Sequence, residues 1–260
     1  VDRSSTRRAI GSSLRVLRHY NDWLVEEWCG AAPGRFIPLM LIPLWDPTLA
    51  AKEMERMADK GVTAFAFSEN PEPLGLPTIH DVDGYWDPVL AAANDLEMVA
   101  SIHVGSSSQV PKIASDSPFM ANLTWGAVRT SGCMLSWIFS GQFLKYPNIK
   151  VALSEGEIGW IPYFLERGEQ VLDKQKHWVM KGVQFMDHGT TAVNLDEIDV
   201  RGAFRDHIFG CFIHDEHGIA SIDEIGEDNI MCETDYPHSD STWPDCIGTV
   251  QRQIEHLAPE

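Results

Sequence analysis

The chain has 260 residues, which suits one α/β barrel domain of ordinary size. A hydrophobic fraction of 44% with 22% charge is that of a globular core and excludes wholesale disorder. A formal net charge of −18 argues against nucleic acid or an anionic membrane as partner, because both need a basic face. It describes an acidic solvated surface, with attraction of cationic substrates as the functional alternative. The five cysteines are odd in number and lack C-x-x-C spacing, which argues against a disulfide framework or a thiolate zinc knuckle. Cys211 and Cys232 fall inside apolar runs, where a free thiol behaves as a small core residue. This usage points to a cytoplasmic protein. No stretch reaches the ~18–20 apolar residues of a membrane span, and no signal-peptide core is seen.

In chain order, a polar and basic start leads into a helical stretch from Ser12 to Trp28, with Leu14, Leu17, Trp23, Leu24 and Trp28 near one face. A strand-length apolar run, Arg35–Leu44 (RFIPLMLIPL), precedes a helix over Thr48–Lys60 with Pro47 at its start and Gly61 at its stop. Strands follow at Val62–Ser68, Glu97–Val104, Asn148–Ser154, Gly210–Asp215 and Asn229–Asp235. Helices fall at Asp83–Leu96, at Pro118–Tyr146 with a break near Gly132, at Pro162–Lys181 and at Asp245–Leu257. The segment 182–203 reads as an irregular insertion, and 1–34 as a helical segment packed on one domain that takes in the whole chain. Strands apolar on both faces and separated by helices mean parallel βαβ units covered on both sides. No G-x-G-x-x-G follows any strand, so a dinucleotide-binding sheet is disfavoured. His103, Ser154–Glu155, His214–Asp215 and Asp235 lie at the C-terminal ends of different strands, which in a TIM (β/α)₈ barrel converge on one mouth. The barrel is the expected fold, although six strands are counted and a closed barrel has eight.

The chemistry is sought at that mouth. His103, in SIHVGSSS, ends a strand beside a Gly/Ser turn, where a neutral imidazole can bind a divalent metal. Asp235, in MCETDYPHSDSTWP, ends another strand on a proline-bounded loop and can ligate a metal and take a proton. Glu155 and Glu157 follow a third strand between glycines that allow close approach of a ligand. Glu155 is the stronger candidate for catalysis. His238, Ser106 and Asp215 are candidate substrate contacts. Ala152–Gly156 nearly spells a nucleophile elbow around Ser154, but that motif needs a helix starting at the serine, and Gly156, Gly159 and Pro162 delay it. A serine hydrolase is therefore disfavoured. His214 and His217 straddle a strand end and lack the helical i,i+4 spacing of zinc proteases.

Seven segments in one order are specific together: YNDWL, RFIPLMLIPLWDP, FSENPEPLGLPTIHD, HVGSSS, EGEIGWIPYFLER, GCFIHDEHG and ETDYPHSDSTWP. They resemble the amidohydrolase-related family, in its amidohydrolase 2 branch. The resemblance implies a TIM barrel related to aminocarboxymuconate semialdehyde decarboxylase and to metal-dependent hydrolases of aromatic and lactone compounds. It implies that His103 is the mid-barrel metal-ligand histidine and Asp235 the last-strand aspartate that binds metal and shuttles protons. Glu155 falls where decarboxylating members carry a histidine. The family's first strand carries a His-x-His, Glu-x-His or Asp-x-His pair, and nothing of that kind precedes Ser12.

The expected activity is metal-dependent hydrolysis of a small cyclic or aromatic amide, ester or lactone, with a zinc ion and Asp235 as proton acceptor. The alternatives are non-oxidative decarboxylation of an aromatic or related acid, and a metal-free barrel remnant without turnover. A metal normally takes three or more protein ligands, so His103 and Asp235 with Glu155 imply low occupancy. The apolar excess between Phe119 and Phe143 implies a homodimer, which a charge at Trp137 would split if that side chain is at the interface rather than in the core, unless the helix bearing Trp23 and Trp28 covers the patch.

Overall fold

The computed structural model describes residues 3–109, 111–180 and 193–257. Six parallel strands, β1 (Leu39–Met40), β2 (Ala64–Phe67), β3 (Val99–His103), β4 (Lys150–Ser154), β5 (Ile208–Phe212) and β6 (Ile230–Cys232), form one sheet in sequential order. Helix α1 (Arg3–Trp23) precedes them, and α2 (Pro47–Ala58) and α3 (Asp87–Asp95) make the first two crossovers. Between β3 and β4 lie α4 (Phe119–Thr124), α5 (Val128–Phe139) and α6 (Gln142–Lys145). Then come α7 (Ile161–Met180) and α8 (Val200–His207), the short α9 (Glu216–Ala220) and α10 (Ile222–Ile225), and α11 (Cys246–Ile254). Sequence neighbours that are also sheet neighbours, with a helical crossover each time, make an arc of a (β/α)₈ barrel. A doubly wound sheet would reverse its strand order at a switch point. No helix among the described residues is long and apolar enough to cross a membrane.

The strands are shorter than the apolar runs, for local reasons. Pro38 and Pro43 bracket β1, and proline has no N–H for a ladder. Beyond β1, a side chain replaces the missing ladder: Leu41 N donates to Asn21 Oδ1 and Asn21 Nδ2 donates to the Leu41 carbonyl, both at 2.9 Å. The fifth strand lies earlier than its sequence pattern suggests, at Ile208–Phe212, because Asp215 turns aside to cap α9. Under the sheet, Phe67 meets Trp86 edge-on at 4.9 Å and Trp137 stacks on Phe143 at 5.6 Å, inside a core that includes Met40, Phe65 and Met98.

Several expectations are corrected. The long apolar helical region breaks at a 3₁₀ turn over Trp125–Ala127 and again at Gly141, whose φ is +76°, while Gly132 lies inside α5. Trp137 is 1% exposed and belongs to the core rather than to an interface. The apolar excess is instead carried by α4, where Phe119, Met120 and Leu123 are exposed. Trp23 and Trp28 do not cover them; they pack on one another at 5.7 Å and are themselves exposed. The polar contacts of α1 go to β1 and α2, through Asn21 and through Arg18, which meets Glu53 at 2.9 Å. Cys232 is exposed on the edge strand rather than buried like Cys211. Of the expected insertion, 182–192 lies outside the described residues; its end is helical, with Asp199 capping α8 through Gly202 N at 2.9 Å.

Candidate active site

Three strand ends bring the candidate groups together. His103 closes β3, opposite Ser154 at the end of β4, so the next residue, Glu155, comes level with it. His103 Nε2 lies 2.8 Å from Glu155 Oε1, and its Nδ1 lies 2.5 Å from the Val104 carbonyl, which fixes the ring. The Asp235 side chain, which follows β6, stands close enough to the Glu155 carboxyl to act on its ionisation. His238 Nδ1 stands 2.9 Å from Asp235 Oδ2, but out of line for a hydrogen bond, so this buried oxygen has no hydrogen-bond partner among the described residues. His103 and Asp235 thus touch the same carboxyl from opposite walls.

Backbone strain marks the same places. Glu155, Glu157 and Asp235 have φ of 55°, 53° and 48°, a left-handed conformation that side chains other than glycine's rarely adopt. Each such residue costs on the order of 1–2 kcal/mol, and clusters of them occur where surrounding structure enforces a functional geometry. Glu155 N donates to Glu233 Oε2 at 2.6 Å, which holds the strained turn against β6. The peptide bonds before Pro237 and Pro244 are cis.

The electrostatics follow from the crowding. Burial and the contact with Asp235 push the Glu155 carboxyl above its ordinary value, against the opposing pull of His103. Burial works against a charged His103, but the Val104 carbonyl and the Glu155 and Glu233 carboxylates outweigh it and hold the imidazole above its usual value. Glu157 is raised too, by burial and then by the Asp215 charge, and its Oε2 is buried without a hydrogen-bond partner.

Other candidates lie elsewhere. Asp215 accepts from Gly218 N at 2.7 Å and, through its other oxygen, from Ile158 N and Gly159 N at 2.8 and 2.6 Å. It braces two loops and has no oxygen left for a substrate. Ser106 Oγ accepts from Glu69 N at 2.8 Å, tying the β3 turn to the end of β2. Ser154 ends β4 seven residues before α7 begins at Ile161, so no nucleophile elbow forms. Glu233 is the residue that sequence reading passed over. It directly follows β6, two positions before Asp235, and its carboxylate accepts from Glu155 N at the same cluster.

The donor set suits a divalent cation in its chemistry. Carboxylates favour manganese and magnesium, imidazole adds affinity, and Asp235 carries an orphaned buried oxygen. Its arrangement is drawn inward, with donors contacting one another; among the described residues no group of three or more His, Cys, Asp or Glu is spread around a common centre.

The family model for amidohydrolases, Amidohydro_2, matches residues 10–259. The chain belongs to this amidohydrolase family. Among family relatives, a gamma-resorcylate decarboxylase of Rhizobium sp. (strain MTP-10005) is 27% identical over 237 residues, 86% of this chain and 66% of the relative. An amidohydrolase from Mycobacterium avium subsp. paratuberculosis superposes with a TM-score of 0.72 at 19% identity, over 96% of this chain and 60% of its own. A 5-carboxyvanillate decarboxylase from Novosphingobium aromaticivorans, solved with manganese and 4-hydroxy-3-methoxy-5-nitrobenzoic acid, gives 0.70 at 18% identity, covering 96% and 66%. The chain therefore spans slightly less than two thirds of the length of these proteins, and as an amidohydrolase-family barrel it shares their fold.

Proposed function

We propose that this amidohydrolase-family chain carries the site of a non-oxidative decarboxylase acting on a hydroxylated aromatic acid. The observation that carries the reading is the Glu155 carboxyl, 2.8 Å from His103 Nε2 and raised above its ordinary value by burial and by its contact with Asp235. Relatives that are decarboxylases favour it over the hydrolase expected from the residues alone. Breaking the bond between ring and carboxylate leaves an electron pair on a ring carbon, and that carbon must gain a proton. A carboxyl whose pKa is raised by burial and by a neighbouring carboxyl is suited to supply it. The pair gives its proton to the ring carbon bearing the carboxylate; the carbon–carbon bond then breaks, CO₂ leaves, and its electron pair restores the ring. Glu155 and Asp235 regain that proton from solvent, so the carboxylate anion and H⁺ become arene and CO₂. Glu155 here takes the place of the histidine that the family's decarboxylating members carry.

His103 and Asp235 would hold the divalent cation, manganese rather than the zinc first expected, in line with the decarboxylase neighbour solved with manganese. When bound, it supplies the positive charge that lets an anionic acid enter a mouth containing Glu155, Glu233 and Asp235. His238, 66% exposed and next to Asp235, would contact the ring substituents. The whole chain acts as one domain in this reading, and a second copy docks against α4.

The family's description favours a hydrolase at its coarsest level, and there Asp235 would accept the proton of the attacking water. One assay separates the two. The purified chain is given manganese and gamma-resorcylate, and CO₂ release is followed; a lactone panel is run in parallel. We expect CO₂ from the hydroxybenzoate, with Asp235→Asn lowering the rate about 10²–10⁴-fold. Lactone hydrolysis with no CO₂ from any hydroxybenzoate would reject the decarboxylase.

A further inference from the structure

Beside the His103 cluster, a cavity of about 440 Å³ opens between the loops after β2 and β3 and the start of α5. Its lining sets the buried Glu69 and the half-buried Arg129 in one wall, with the exposed Glu72 and His80 also on the lining. Glu69 is 8% exposed; its Oε1 accepts from the buried Ser107 hydroxyl at 2.6 Å, and its Oε2 has no hydrogen-bond partner. Arg129 donates from Nη1 to the Gln109 carbonyl at 2.7 Å, while its buried Nε has no acceptor. Among the described residues neither charge has an ionic partner within 4 Å, and the two do not pair with each other. The rest of the wall mixes apolar residues such as Ile79, Val128 and Cys133 with polar ones such as Asn70, Thr78 and Ser136.

An unpaired carboxylate and an unpaired guanidinium in one wall are costly, since each lacks the partner that offsets its lost hydration. The cheapest remedy would be a direct Glu69–Arg129 pair, and the fold holds them apart. A single anion would satisfy Arg129 and be repelled by Glu69; a single cation would do the reverse. A molecule with a cationic donor at one end and a carboxylate at the other satisfies both at once. We propose that this cavity is a second binding site, for a small zwitterion of the amino-acid class, with its ammonium on Glu69 and its carboxylate on Arg129. The site goes beyond the proposed decarboxylation, shares none of its residues, and stands or falls separately.

The test is calorimetric titration of the purified chain with a spacing series, glycine, 4-aminobutyrate and 6-aminohexanoate, and with butylamine and butyrate as single-charge controls. One spacing should bind saturably, with each control roughly tenfold weaker or more, the loss expected for one charged hydrogen bond. Glu69→Gln, which keeps an acceptor for Ser107, and Arg129→Met should each weaken that zwitterion to the level of the control lacking the matching charge. Circular dichroism on both variants confirms that they are folded; if Arg129→Met fails, Arg129→Lys replaces it and should bind weakly. Absence of saturable binding by every zwitterion, controls that bind as tightly, or folded variants that bind like the parent would each overturn the proposal. Gamma-resorcylate turnover, measured alongside, reports on the other site alone.

Discussion

At the level of single residues, the site stores strain that a glycine would release. Glu155 holds φ at 55° while its carboxyl is pressed against Asp235. Glu155→Gly should remove about 1 kcal/mol of backbone strain and the carboxyl crowding, at the loss of the His103 contact. The expected outcome is a midpoint of denaturant unfolding equal to or above the parent's with CO₂ release abolished; a large destabilisation would show that the contact with His103 outweighs the strain. Gly156 beside it is constrained by space rather than by φ. A Cβ there would lie 2.4 Å from Thr130 Cγ2 on α5, so Gly156→Ala must push the turn or the helix. Overpacking of this kind typically costs 1–3 kcal/mol, and the displaced turn carries Glu155, so activity should fall along with stability. Equal activity at parental stability would show that the turn has more freedom than its contacts indicate.

At the level of elements, α1 is joined to the barrel by a buried polar cluster. Glu53 Oε1 accepts from Asn21 Nδ2 at 3.0 Å and from Arg56 at 2.7 Å, and Oε2 accepts from Arg18 and Arg56, both at 2.9 Å. Burial pushes the Glu53 carboxyl up, but these donors outweigh it and hold it below its ordinary value of 4.5. A carboxylate depressed in the folded state adds stability that is complete above its unfolded value and is lost as pH falls through the folded one. Below about pH 4.5, therefore, α1 should loosen before the barrel does, read as faster hydrogen exchange in 11–23 than in β3 and β4. Uniform exchange across both regions would refute it. Asn21→Ala at neutral pH should act similarly, because it leaves both Leu41 backbone groups unpaired. None of this was legible in the sequence, since Asn21, Leu41 and Glu53 share no motif and meet only through tertiary packing. The strands were legible because continuous apolar runs between helical patterns have few other readings. Their ends were not, because Pro38, Pro43 and the Asp215 cap act on hydrogen bonds that periodicity does not record. For the site, His103, Glu155 and Asp235 stood out as polar residues closing apolar strands. Asp215 stood out equally, and only the structure shows its carboxylate bound to backbone amides.

At the level of the whole molecule, the question is what covers α4. Phe119 is 72% exposed, Met120 69% and Leu123 53%, on a chain whose net charge of −18 makes self-association unfavourable at long range. Fully burying such side chains contributes about 1.5–3 kcal/mol each, so three from each of two copies supply at most about 9–18 kcal/mol. Association costs on the order of 4–15 kcal/mol, which leaves a modest surplus for a two-fold pair. A dimer built on this face should therefore be concentration-dependent, and salt should strengthen it by screening the like charges of the two copies. Light scattering from low to high micromolar protein should show the mass rising from 29.1 kDa towards twice that value, and rising earlier in higher salt. Leu123→Asp puts a charge on the exposed face and should hold the chain monomeric with its fold intact. Trp137→Asp puts one in the core, where Trp137 is 1% exposed, and should unfold the chain instead of merely splitting the pair. A parent that stays at monomer mass at every concentration, or a Leu123→Asp variant that pairs like the parent, would remove α4 as the interface.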